Sequence, residues 1–168
     1  ESVIRYEPVG VAGGIGAYNS PLLFLVSKAI AAMAAGCTAV YTPSPLTPLA
    51  TLMFGELAME AGVPPGVLNI VVGGIDIARG LTTHPGVDKL SFTGSVAIGR
   101  QVMSQAAQGI KDVVLELGGK SAAIVLPEAD LQKIALPLHG RYLRNSGQGC
   151  QSPTRLLVPE SRFDDFID

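Results

Sequence analysis

Residues 8–41 read PVGVAGGIGAYNSPLLFLVSKAIAAMAAGCTAVY and contain a complete strand–helix–strand pattern. Pro8 to Gly16 is an apolar, glycine-rich run, which predicts a buried strand that ends in a loop. Ser20-Pro21 is typical of a helix start and Gly36 of a helix end. The apolar, β-branched run Cys37 to Tyr41 predicts the next strand. Because neither strand alternates with polar residues, the pattern indicates a parallel βαβ unit that is covered on both faces.

The same alternation of strands and helices continues along the chain. The further predicted elements are helix 47–62, strand 67–72, helix 75–82, strand 89–92, helix 95–107, strand 113–117, strand 122–126, helix 131–143, strand 155–158 and the start of a helix at the C-terminal end. This order predicts an α/β fold with a Rossmann-like open parallel sheet and helices on both faces. The sequence texture changes after Gly118-Gly119, so we expect a partial first domain at 1–118 and the truncated start of a second α/β domain at 119–168.

Composition limits the classes of function. The 168 residues are 48% hydrophobic and carry a formal net charge of −2 with mixed signs, which gives no footprint for nucleic acid or an anionic membrane. No apolar run approaches the roughly 18 residues of a membrane span. Two cysteines and the lack of a signal-like start indicate a cytoplasmic protein. The chain begins without methionine and ends inside a predicted helix, so we expect a fragment.

One thiol lies in a polar loop, Asn145-Ser-Gly-Gln-Gly-Cys150. Its glycines leave room for a ligand beside the backbone. N–H groups at the start of a helix predicted from Gln151 would favour the thiolate, which is the nucleophilic form of cysteine. The alternative is that Cys150 is a small buried apolar residue. Cys37, inside a predicted strand, is expected to serve packing alone.

Three motifs of other site types fail or stay incomplete. Gly14-Ile-Gly16 would need a third glycine at position 19, which is Asn19, so the dinucleotide fingerprint is absent. Gly119-Lys120-Ser121 resembles the end of a P-loop, but the first glycine of that motif is missing. His84 and His139 have no partners at ligand spacing, so we expect no metal site.

Unusual polar residues follow several strands or close a loop. They are Asn19, Phe92-Thr93-Gly94-Ser95, the segment Leu115 to Ser121 with Glu116, and the Cys150 loop. In an open parallel sheet the carboxyl ends of the strands line the ligand crevice, so three of these should converge there. A thiol, a carboxylate and an amide together suit covalent acyl chemistry that passes through an oxyanion.

The order of these motifs resembles the NAD(P)-dependent aldehyde dehydrogenase family. The motifs are Y-N at 18–19, T-P-S at 42–44, F-T-G-S at 92–95, L-E-L-G-G-K-S at 115–121 and N-x-G-Q-x-C at 145–150. Each motif alone is weak, but their shared order covers essentially the whole chain. The resemblance makes 1–118 part of a cofactor-binding domain and 119–168 the start of a catalytic domain. It implies an oxidoreductase that binds NAD or NADP and a small-molecule aldehyde, and a homo-oligomer for the full-length protein.

The resemblance also implies roles for single residues. Cys150 matches the nucleophile that forms a thiohemiacetal, and Asn19 matches the amide that holds the oxyanion together with the Cys150 backbone N–H. Glu116 matches the base that activates water to hydrolyse the thioester. The implied cofactor contacts are Ser44, Phe92, Thr93, Gly94, Ser95, Leu117 and Gly118, with the pyrophosphate at the helix start after Gly94.

One departure from the family pattern affects the cofactor. Thr42 stands where the family usually has a lysine, and Pro45 where it often has a glutamate, and these two groups clamp the adenosine ribose. Each lost charge-assisted hydrogen bond costs about 1.5–3 kcal/mol where it is desolvated. Pro45 cannot repel a 2′-phosphate, so both NAD and NADP stay open.

Two alternatives to the hydrolytic enzyme follow from the same residues. A CoA-acylating relative would pass the thioester to a thiol and would not need a base at Glu116. A non-catalytic member with weak nucleotide binding would explain Thr42 and Pro45, although Asn19, Glu116 and Cys150 oppose it. The 168 residues alone are expected to be inactive, because the catalytic domain is incomplete. The identity of the aldehyde is not encoded in the segment.

Overall fold

The computed structural model describes residues 2–166 and contains two compact units. The first extends to Leu117 and the second begins at Gly118. The first unit is built on a five-stranded parallel sheet, and the second contains a two-stranded parallel sheet. Within the described residues, no helix has both the length and the apolar character that a membrane crossing requires.

The large sheet of the first unit has the strand order β3-β2-β1-β4-β5. This is the strand order of doubly wound nucleotide-binding folds, and β1 lies at its centre. The strands are β1 Val11–Ile15, β2 Thr38–Thr42, β3 Leu68–Ile70, β4 Lys89–Gly94 and β5 Asp112–Leu117. The helices are α1 Pro21–Leu25, α2 Ala31–Ala34, α3 Leu49–Glu60, α4 Ile75–Thr83 and α5 Val96–Ala107.

Helices cover both faces of this sheet. Successive residues of a strand point to opposite faces. A Cβ on Gly13 would contact Leu81 of α4 and Leu90 of β4, whereas a Cβ on Gly14 would contact Tyr41 of β2 and Lys28. The two hydrophobic clusters of the unit divide in the same way, one with α4 and α5 and the other with α1 and the residues after it. The predicted α/β class, with a Rossmann-like parallel sheet and helices, is confirmed.

The first helical stretch contains an irregular turn that its sequence did not reveal. α1 and α2 are joined by the π-helical turn Val26–Ile30. Such turns are rare and often occur at functional sites. Gly36 follows this stretch with φ +84°, as predicted for a helix end.

Ser20 is the N-cap residue of α1 and Pro21 lies in its first turn, as predicted, whereas α3 begins two residues after the expected residue 47. The Ser20 side chain accepts no capping hydrogen bond. The Thr47 hydroxyl donates to the carbonyl of Tyr18 at 3.3 Å, so it ties two loops together, and α3 begins after Pro48. Proline in the first turn starts the first helix without a side-chain acceptor, since its missing N–H needs none.

The second unit pairs β6 Ala122–Ile124 with β7 Arg155–Leu157, and α6 Leu131–Leu143 lies between them in sequence. The Asp130 side chain caps α6 by accepting from the N–H groups of Gln132 and Lys133. The helix expected from Gln151 is absent, because Ser152 to Thr154 form an irregular segment that leads into β7. The expected C-terminal helix is two 3₁₀ turns, Glu160–Arg162 and Asp164–Phe166, with residues 167–168 outside the described part.

Candidate active site

A cavity of about 410 Å³ lies in the first unit at the carboxyl ends of β1, β2 and β4. The ends of these strands, Ile15, Thr42 and Phe92, form one side of it. Helices α4 and α5 form the other side, with Ala78 and Ile98 among the lining residues. The carboxyl edge of an open parallel sheet is the usual ligand position in doubly wound folds, so this cavity is the candidate cofactor crevice.

Five of the seven expected cofactor contacts line this cavity. They are Ser44, Phe92, Thr93, Gly94 and Ser95. The other two do not line it. Leu117 packs its side chain close to the backbone of Gly99 in α5, and Gly118 belongs to the second unit.

The lining of the cavity fits a dinucleotide. Ser95 caps α5 and accepts from the N–H of Ile98 at 3.3 Å, so the positive end of this helix faces the cavity wall that Gly94 and Ser95 form. Thr93 also lines the cavity, and its hydroxyl oxygen is buried without a hydrogen-bond partner among the described residues. Buried polar groups are normally satisfied, so an unpaired hydroxyl here is consistent with a bound polar ligand.

Arg79 of α4 carries the only formal charge among the described residues that line the cavity. Two glutamines, Gln101 and Gln105, add neutral polar groups from α5. The described lining contains no aspartate or glutamate.

Asn19 occupies the turn between β1 and α1 and is half-buried. The loop before it is held by a hydrogen bond from the Gly16 N–H to the Thr42 carbonyl at 3.0 Å. Gly16 is buried against the phenol of Tyr41, whose fully buried hydroxyl has no hydrogen-bond partner in the described chain. Burial raises the pKa of Tyr41 well above its usual value, so this hydroxyl stays neutral.

Lys28, in the π-helical turn, is a buried cation that the sequence interpretation missed. Its side chain is almost fully enclosed, its ammonium donates to Ser91 Oγ at 2.9 Å, and the Phe24 ring lies 5.9 Å from the nitrogen. Burial lowers the pKa of Lys28, and the Glu116 carboxylate acts in the opposite direction. The two charges therefore interact within the first unit.

Glu116 lies on β5 and pairs in register with Thr93 of β4. Glu116 is exposed, and exposed and half-buried residues alternate along β5. In register, Val114 pairs with Ser91, the partner of Lys28, and Glu116 lies two residues further along the same face. The sheet thus places a carboxylate and a buried ammonium on one face.

Cys150 follows an unusual backbone in the second unit. Asn145, Ser146 and Gly147 have φ values of +53°, +56° and +75°, so three successive residues adopt the left-handed region. For the first two this conformation is strained by about 1–3 kcal/mol each. Such conformations persist where the surrounding structure fixes the backbone, and they are enriched at active sites and ligand-binding loops.

The Cys150 thiol is exposed and donates to Oε1 of Gln151 at 3.2 Å. Cys37, in contrast, is buried. The loop around Cys150 is anchored by the buried Ser152, whose N–H donates to the Gly149 carbonyl. The described residues contain no group of three or more His, Cys, Asp or Glu side chains that could hold a metal ion.

The aldehyde dehydrogenase family model matches residues 1–168. The chain belongs to the aldehyde dehydrogenase family. A chloroplastic betaine aldehyde dehydrogenase from Beta vulgaris is 49% identical over 170 residues, which cover 100% of this chain and 34% of the relative. The chain thus spans about a third of the length of the curated relatives that it matches.

Solved aldehyde dehydrogenases have the same fold. The NAD⁺ complex of an aldehyde dehydrogenase from Bacillus cereus superposes with a TM-score of 0.93 at 41% identity, covering 98% of this chain and 34% of that one. An NADP-dependent enzyme from E. coli superposes with a TM-score of 0.92 at 45% identity, covering 96% and 34%. These similarities confirm the predicted family.

The sequence analysis missed Lys28 and Arg79, because their sequence signals were weak. Lys28 is the one cation in the apolar stretch between Leu22 and Ala35. A lone charge in such a stretch was the signal that could have indicated a buried lysine. Arg79 had no motif. The available signal for Arg79 was the lack of an acidic residue directly after β2. In doubly wound folds an arginine near this point can take the place of that acidic residue in contacting the cofactor ribose.

Proposed function

We propose that a protein containing this segment oxidises an aldehyde to a carboxylic acid with NAD or NADP through covalent chemistry at Cys150. The carrying observation is the family match over residues 1–168, together with an exposed Cys150 thiol and a buried Cys37. NAD or NADP supplies the hydride acceptor when it is bound.

In the proposed reaction the Cys150 thiolate adds to the aldehyde carbon, and the carbonyl oxygen becomes an oxyanion. The Asn19 side-chain amide and the Cys150 backbone N–H donate to that oxyanion, which lowers the barrier because the charge develops there. Loss of hydride from the carbon leaves a thioester on sulfur. This proposal rests on the residue matches and on the exposure of the thiol.

Glu116 is proposed as the base that removes a proton from water as the water attacks the thioester, releasing the acid and the free Cys150 thiol. The interaction of Glu116 with Lys28 supports a role for the pair. A CoA-acylating enzyme would not require this carboxylate.

The test is NAD(P)H formation in a protein of the relatives' full length that contains this segment. Cys150→Ser should abolish turnover, whereas the matched variant Cys37→Ser should retain most of it, because Cys37 is buried away from solvent. Undiminished turnover by Cys150→Ser would contradict the proposal. We expect no steady turnover from the 168 residues alone, which make up about a third of a relative's length.

A further inference from the structure

We propose that Arg79 binds the 2′-phosphate of NADP in the cavity of the first unit, so that this chain prefers NADP to NAD. The inference rests on the proposed function, since it assumes that the cavity receives the adenosine half of the cofactor. It goes further by assigning a residue to cofactor choice that no motif of the chain indicates.

The end of β2 lacks the group that selects NAD. In doubly wound folds an acidic side chain near this point accepts hydrogen bonds from the ribose hydroxyls and repels a 2′-phosphate, and a nearby arginine accommodates that phosphate. Here β2 ends at Thr42, and Pro43, Ser44 and Pro45 follow. Among the described residues, no carboxylate lines this cavity.

Thr42 is already committed to the fold. Its side chain is buried, and its hydroxyl donates at 2.7 Å to the carbonyl of Val71, which is the residue after β3. Pro45 lines the cavity and has no polar side-chain atom. Neither residue can therefore replace the ribose clamp by a strong, charge-assisted hydrogen bond.

Arg79 is placed to supply the missing charge. It lines the same cavity as Ser44 and Pro45 and is the only charged residue among its described lining. Asp76 lies three residues earlier on α4, at a spacing that permits pairing, yet no ion pair joins it to Arg79 in the described structure. The guanidinium is thus available for a phosphate, which it can bind through two parallel hydrogen bonds.

Ser44 adds a second donor to the lining of the same cavity. Its Oγ accepts from the N–H of Leu46 at 3.3 Å, which leaves its hydroxyl proton to donate to a phosphate oxygen. The lining thus offers a cation and a hydroxyl donor and contains no carboxylate among its described residues. This combination favours the dianionic 2′-phosphate of NADP over the neutral ribose 2′-hydroxyl of NAD.

The proposal is tested by calorimetric titration of a full-length protein that contains this segment with four probes: NADP, NAD, adenosine 2′,5′-bisphosphate and AMP. The parent should bind each 2′-phosphorylated probe at least about tenfold more tightly than its counterpart. Arg79→Gln should weaken NADP and the bisphosphate by about 10- to 100-fold and leave NAD and AMP within about threefold. Arg100→Gln is the matched control, because Arg100 is an exposed arginine of α5 outside the cavity lining.

A second variant adds the missing carboxylate. Pro45→Glu should weaken the 2′-phosphorylated probes selectively, by like-charge repulsion within the same cavity. Thermal unfolding of every variant without ligand establishes that each is folded. The inference is overturned if Arg79→Gln binds NADP as the parent does, or if Arg100→Gln loses as much affinity. Binding of NAD with equal or higher affinity than NADP overturns the inference but leaves the proposed function standing, whereas binding of no probe overturns both.

Discussion

Replacement of Gly16 by alanine should destabilise the first unit through one side chain, Tyr41. A Cβ on Gly16 would lie 1.9 Å from Tyr41 Oη and 2.8 Å from Tyr41 Cζ. Comfortable contacts between carbon atoms are about 3.5–4.0 Å, so the ring or the loop must move by about 1 Å or more. The Tyr41 residue is fully buried, which leaves little room for that movement.

The expected magnitude combines two opposing effects. Overpacking in a rigid core costs about 1–3 kcal/mol. Gly→Ala also reduces the entropy of the unfolded chain, which stabilises by about 0.4–1 kcal/mol where the backbone accepts alanine. The φ angle of Gly16 is not in the left-handed region, so the second effect applies. We therefore expect Gly16→Ala to lower the free energy of unfolding by about 1–2 kcal/mol.

Urea unfolding of a double-mutant cycle checks this reasoning. Tyr41→Phe alone should cost little, because it removes a buried hydroxyl that has no partner in the described structure. In the Gly16→Ala background, Tyr41→Phe should restore about 1 kcal/mol of the lost free energy of unfolding. The recovery should be partial, because Cζ of the ring remains too close to the new Cβ. Gly80→Ala is the control: it lies in α4 with open space around it, so it should gain up to about 1 kcal/mol. A Gly16→Ala protein as stable as the parent, or strict additivity with Tyr41→Phe, would refute the steric argument.

Three further predictions concern the reactive groups. Brief alkylation should label Cys150 before Cys37, since only Cys150 is exposed, and peptide mapping that found Cys37 labelled first would contradict this. In a full-length protein, Glu116→Gln should keep the initial burst of NAD(P)H but slow turnover, because the base acts after hydride transfer; rapid-mixing absorbance measures both, and loss of the burst would count against the division of roles. Burial lowers the pKa of Lys28 in the folded protein below its usual 10.5. Between the two pKa values the unfolded chain binds more protons than the folded one, so the parent gains stability as pH rises through that window. Lys28→Met should remove this part of the rise in stability with pH. Urea unfolding from pH 7 to 10.5 measures this, and identical slopes for the two proteins would contradict it.

The sequence predicted the first unit well because its strands are apolar runs punctuated by glycine and proline. β4 and β5 each lie within two residues of their expected ends, and α4 within one. The failed details are those that depend on tertiary contacts. Thr47 has the residue type of a cap, but its hydroxyl reaches the Tyr18 carbonyl of a distant loop, which no local pattern encodes.

The candidate site was predicted only where motifs exist. The F-T-G-S segment led directly to four lining residues of the cavity. Lys28 and Arg79 were missed because their importance comes from burial and from the neighbours that the sheet brings close, Ser91 in one case and the end of β2 in the other. The helix expected from Gln151 failed because β7 begins at Arg155, which leaves too few residues for a helix.

The most direct test of the central claim is to trap the acyl group on sulfur. A full-length protein that contains this segment and carries Glu116→Gln is mixed with an aldehyde and NADP, quenched in acid, digested and examined by mass spectrometry. The Cys150 peptide should gain the mass of the acyl group less one hydrogen, in proportion to the NADPH formed, and Cys150→Ser should show neither signal. NADPH formation without an acyl group on Cys150, or an acyl group on another residue, would contradict the account.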